Sequence, residues 1–157
     1  MKKILSVNKA STVTDMALLI ARIGIAGLML THGIPKLLML LSGAPVQFPP
    51  VMGMSPEFSL GLTVFAEVVC SLLLFAGLAT RLAAIPLAIT MLVALVFMHA
   101  SSPFAKQEPA LQYLLVYILL LFAGSGKFSI DYLLQGKRST AKPAISKVQD
   151  PTLAIYQ

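Results

Sequence analysis

Between residues 16 and 124 the chain reads as four apolar runs, and this pattern limits the fold more than any other feature. A helix needs about 20 predominantly apolar residues to cross a hydrocarbon core of roughly 30 Å. The first run, 16–41, is broken only by Arg22 and by His32-Gly33-Ile34-Pro35-Lys36, where Pro35 is expected to kink or end the helix. The second, 59–77, carries only Glu67, and the third, 82–98, carries no charge. The fourth, 110–124, is shorter, so its helix is expected to start near Lys106 or Glu108, with Pro109 in the first turn, where a missing N–H is tolerated. The expected fold is therefore an all-α membrane protein, a four-helix transmembrane bundle; the alternative is three spans plus a buried re-entrant segment.

Composition agrees. Of 157 residues, 57% are hydrophobic and 11% charged, and the mean hydropathy of +0.86 lies well outside the range of soluble domains. Twelve Lys and Arg against six Asp and Glu lie mostly at the ends of the apolar runs, so membrane topology accounts for them and no nucleic-acid partner is implied. Cys70 is alone, which excludes an intrachain disulfide and a Cys-x-x-Cys redox pair. Met1-Lys2-Lys3 resembles the start of a signal peptide, but polar residues fill 4–15, so the first run reads as a retained anchor. Three segments follow: an N-terminal segment 1–15, a membrane domain 16–135 and a mobile tail 136–157.

Positive charge collects on the cytoplasmic side of a membrane. Four crossings put Lys2, Lys3, Lys9, Arg81, Lys127, Lys137, Arg138, Lys142 and Lys147 on one side and only Lys36 and Lys106 on the other. Both termini are thus expected in the cytoplasm. Six Gly and Pro residues within 42–58 forbid a regular helix and suggest a structured cap over the outer mouth, while the short turn 77–81 makes the second and third helices antiparallel neighbours.

The ionisable residues inside these runs are the candidates for function, because charge at membrane depth faces the protein interior and pairs there. At 1.5 Å per residue, His32 and His99 lie roughly 24 and 26 Å from the inner edges of their helices, nearly level with each other. Glu108 starts the fourth helix at the same boundary, and Lys36 shares a face with His32, so His32, Lys36, His99 and Glu108 form a candidate outer polar site. Each also has a structural reading, with His99 capping carbonyls and Lys36 reaching the interface. Two level imidazoles are what axial haem ligation requires, and His32, His99 and Glu108 are a conceivable metal set, but nothing else marks a porphyrin or metal pocket.

Glu67 lies roughly 15 Å deep, and Arg22 starts roughly 9 Å above the inner edge. Either Glu67 is protonated or it pairs with Arg22; the expectation is a buried Arg22–Glu67 clasp, on a stripe with Thr63, Cys70 and Ser71. Gly124-Ser125-Gly126-Lys127 lacks the first glycine of a phosphate loop, since position 121 is leucine, and is expected to end the fourth helix and let Asp131 cap the next segment. Tyr132, Leu133 and Leu134 would then rest at the headgroup boundary.

Taken in order, Ala21-Arg22-Ile23-Gly24, His32-Gly33-Ile34-Pro35-Lys36, Glu67, Gly77-Leu78-Ala79-Thr80-Arg81, His99 and Gly124-Ser125-Gly126-Lys127-Phe128-Ser129-Ile130-Asp131 resemble the DoxX family of small four-helix bacterial membrane proteins, over about residues 16–135. The resemblance implies an inner-membrane location and, as in some relatives, redox work: subunits of thiosulfate:quinone oxidoreductase and partners in oxidative-stress complexes. Arg22, Lys36, Glu67, Arg81 and Asp131 match the family's recurring polar positions, Arg81, Lys127 and Asp131 forming an inner-surface motif. The leading expectation is a non-catalytic or quinone-contacting subunit of a redox complex, in contact with lipid and with a redox partner. A proton or small-solute transporter, and a purely structural assembly partner, are the alternatives. Against transport, four helices with one midplane carboxylate make little pore, and no inverted repeat is evident.

Overall fold

The structure is a computed structural model and describes residues 12–140, with side chains described to residue 135; the expectations for 1–11 and 141–157 lie outside the described residues. Five helices follow one another, and no strand occurs among the described residues. They are α1 (Thr12–Leu41), α2 (Pro56–Ala76), α3 (Thr80–Met98), α4 (Phe104–Ala123) and α5 (Ile130–Thr140). The first three are long and apolar enough to cross a membrane. Residues 136–140, expected in the mobile tail, belong to α5.

α1 to α4 alternate in direction, so the start of α1 lies with the end of α2, the start of α3 and the end of α4. We call this the basal end and the opposite one apical. Of the two expectations for Pro35, a kink or an end, the end is excluded: α1 runs on to Leu41. Membrane helices tolerate an internal proline where neighbouring groups satisfy the freed carbonyl. Arg22, Ala26, Met29 and Gly33 are buried at spacings of four, three and four, one continuous helix face.

α2 and α3 each contain a π-helical stretch, Phe65–Cys70 and Ala94–Met98. Single π turns within α-helices are rare and concentrate at functional sites. Ser55 caps α2, its hydroxyl accepting from the Phe58 N–H at 3.3 Å. At the other end Gly77, at φ +68°, forms a Schellman closure: its own N–H donates to the Leu74 carbonyl at 3.1 Å, and the Leu78 N–H to Leu73 at 2.9 Å.

The core joins Ala26 and Met29 of α1, Leu74 of α2, Ala83, Ala84, Leu87 and Met91 of α3, and Ala110, Tyr117 and Leu120 of α4. Alanines recur in it because small side chains let membrane helices approach closely. The outside is the inverse of a soluble surface: Ile20, Leu28, Phe97, Leu115 and Phe122 are all more than half exposed. Apolar surface on this scale requires a covering phase, and for these helices that phase is lipid.

Candidate functional site

Side-chain direction decides how the buried charges pair. Every Cα–Cβ bond tilts toward its helix N-terminus, hence basally on α1 and apically on α2. Arg22 therefore reaches down and Glu67 reaches up, and the expected Arg22–Glu67 clasp does not form. The Arg22 guanidinium instead donates to the main-chain carbonyls of Leu74, at 3.4 Å, and Phe128. It is fully buried and sits directly over Gly77, where an added Cβ would lie 1.9 Å from Nη1.

Glu67 pairs with Lys36. The Lys36 ammonium lies 2.6 Å from both Oε1 and Oε2, with side-chain exposures of 29% for Lys36 and 4% for Glu67. Gly33, one turn below Lys36 on the same face, makes this meeting possible: a Cβ there would stand 2.9 Å from Val68 Cγ2 and 3.0 Å from Glu67 Cβ. The bare glycine lets α1 press against the π-helical turn that carries Glu67.

The pair faces two cavities of about 160 and 170 Å³ that share Lys36, Glu67, Ala94 and His99 as walls. His32, Lys106 and Tyr113 line the first, with Met29, Met91, Pro109 and Ala110 as its apolar surfaces. His32 meets the Tyr113 ring edge-on at 5.9 Å, and Tyr113 stacks on Tyr117 at 6.2 Å. The His99 N–H closes the π turn on the Ala94 carbonyl at 3.0 Å, and Gln107 Nε2 donates to the His99 carbonyl at 2.9 Å, which fixes the break between α3 and α4. Phe48, Pro49 and Val51 from the 42–55 segment wall the second cavity, and the Val51 N–H donates to Ser59 Oγ at 3.2 Å.

Of the candidate outer residues, the structure thus gathers His32, Lys36 and His99 and adds Glu67. Glu108 is not among them. α4 begins at Phe104; Lys106 lines the cavity on the face it shares with Ala110 and Tyr113, while Glu108 is exposed, accepting from Gln112 Nε2 at 3.1 Å. No group of three His, Cys, Asp or Glu placed to hold a metal occurs among the described residues. Lys106, read only as an outer-side cation at the start of the fourth helix, and Tyr113 were not among the expected site residues, although their spacing shows it: 106, 110, 113 and 117 form one helix face.

The inner-surface residues serve the basal end. Asp131 does not cap α5; its carboxylate accepts from the Ala79 and Thr80 N–H groups at 2.8 and 3.2 Å, while its own N–H donates to the Gly77 carbonyl at 3.1 Å. A carboxylate at the first turn of α3 satisfies donors that the helix cannot and sits favourably on its dipole. α5 is capped by Ser129, whose Oγ accepts from the Tyr132 N–H at 3.2 Å. Arg81 Nη2 donates to the Phe122 carbonyl at 3.1 Å. Asp15, fully buried and absent from the sequence-derived candidates, accepts from the Lys127 N–H at 3.0 Å and faces its ammonium at 3.2 Å. An acid in the first turn of an apolar helix was the available signal.

The DoxX family model matches residues 17–100, more than half of the chain, and the chain belongs to that family. It is a membrane protein whose apolar helices contact the bilayer. No curated protein and no solved structure matches it.

Proposed function

We propose that this protein is a four-span inner-membrane subunit that supports a redox complex by seating a quinone headgroup in the apical cavity. The observation that carries the reading is the Lys36–Glu67 pair, set with His32 and His99 in otherwise apolar walls. A quinone ring offers only acceptors. The walls supply N–H donors in Lys36 and the two imidazoles, and Met29, Met91 and Pro109 supply apolar surface for the ring. Together the two cavities reach the lower end of the roughly 300–1,000 Å³ typical of ligand sites. A bound quinone supplies two-electron, two-proton redox chemistry; this chain's part is to hold and orient it for a partner protein.

The length of α4 supports a fourth crossing within a membrane domain of residues 16–135: its 20 residues extend about 30 Å, with Lys106 and Glu108 confined to the first turns. The excess of Lys and Arg at the basal end supports a cytoplasmic location for both termini. In a Cys70→Ala background, a membrane-impermeant thiol reagent should label Ser101→Cys on intact spheroplasts and Ser139→Cys only after lysis. Equal labelling of both would remove the even-span topology.

Purification in mild detergent followed by lipid extraction tests the ligand. The expected result is saturable quinone binding that weakens by about tenfold or more in Lys36→Met, through loss of a charged donor. Absence of co-purifying quinone together with absence of binding on titration would refute the reading.

A further inference from the structure

The cavity's charge is unbalanced. Its walls hold two ammonium groups, Lys36 and Lys106, and two imidazoles, against one carboxylate, Glu67. Glu67 is already neutralised, since both its oxygens lie 2.6 Å from Lys36 Nζ. Lys36 has three N–H donors and spends two on Glu67, so one remains. Lys106 stands exposed at the rim, and Glu108, two positions on, does not share its helix face and is engaged with Gln112. Among the described residues lining the two cavities Glu67 is the one carboxylate, and the hydroxyls of Thr63 and Thr90 at the second donate to the Ser59 and Pro86 carbonyls at 2.8 and 2.9 Å.

The seam between α1 and α4 is the side from which a ligand dissolved in the membrane would reach the cavity. α1 and α4 meet only sparsely along their length, and His32 is exposed where it meets Tyr113 across that seam. A ligand that enters there must partition into hydrocarbon, yet its head enters a site with surplus positive charge.

From this imbalance we infer that the cavity selects the ionised form of an acidic ring, a hydroxyquinone or related phenolate carried on an apolar body, over a neutral quinone of the same shape. The inference rests on the quinone reading above and narrows its ligand class. The anionic oxygen takes the remaining Lys36 donor and is drawn in by Lys106, while the ring lies against Met29, Met91 and Pro109.

Equilibrium dialysis of the detergent-solubilised full chain against 2-hydroxy-1,4-naphthoquinone, ionised at neutral pH, and its uncharged analogue 2-methoxy-1,4-naphthoquinone tests this directly, with affinities referred to free ligand. The expected preference for the hydroxy compound is about tenfold, the worth of one charge-assisted bond. It should shrink severalfold in Lys106→Gln, an exposed position whose substitution leaves the fold intact. Equal binding of the two, or tighter binding of the methoxy compound, overturns the charge selection and leaves the quinone site standing. A preference that Lys106→Gln does not alter also overturns the account, because the rim charge would then have no part in it. Binding of neither compound defeats the quinone reading itself.

Discussion

At the basal end, main-chain groups take part in holding each buried charge: Asp15 takes the Lys127 N–H as well as its ammonium, Arg22 the Leu74 and Phe128 carbonyls, and Asp131 the N–H groups of Ala79 and Thr80. At the apical end Lys36 and Glu67 hold each other and border open space. Charges tied to the backbone stitch turns to helices. A side-chain pair at a cavity wall can share its donors without unravelling a helix end. The same residue types therefore serve architecture below and recognition above.

Substitutions sharpen this contrast in descending order of effect. Gly77→Ala should be the most damaging, because its Cβ meets Arg22 in a backbone at φ +68°; the loss of about 4 kcal/mol, read by thermal unfolding in detergent, combines strain and overpacking. Gly33→Ala should cost about 2 kcal/mol by driving α1 off the Glu67 turn, and it should weaken quinone binding as well. Asp131→Ala should cost about 1–2 kcal/mol, the worth of a helix cap, while the folded fraction retains its quinone affinity. Glu108→Gln should change stability by less than about 0.5 kcal/mol and binding not at all. A binding defect in Asp131→Ala at full occupancy of the folded state would dissolve the distinction between the two ends.

Three spans and the convergence of His32, Lys36 and His99 were legible in the sequence, because hydropathy sets length and a fixed rise per residue sets depth. Depth alone paired Glu67 with the wrong cation. Arg22 and Lys36 lie on the same face of α1, and only the opposite tilt of side chains on antiparallel helices sends Glu67 toward Lys36. Asp131 was legible as a cap but not as the cap of α3, since that helix lies about fifty residues earlier in the chain. Glu108 was misplaced because its level was read without its face: 106, 110 and 113 share the stripe of α4 that meets the cavity, and 108 lies off that stripe. The π turns at Phe65–Cys70 and Ala94–Met98 leave no compositional mark, yet they shape the walls around Glu67 and His99.

The division between a structural base and a binding apex is tested most directly in the double variant Lys36→Met/Glu67→Gln, by measuring quinone affinity and thermal stability on the same preparation. Replacing both members of a buried ion pair is often close to neutral for stability, whereas removing one leaves a lone charge. The expected result is a protein that unfolds within about 1 kcal/mol of the parent and has lost quinone binding. A double variant that binds quinone as the parent does, or that loses binding only because it no longer folds, would contradict the assignment.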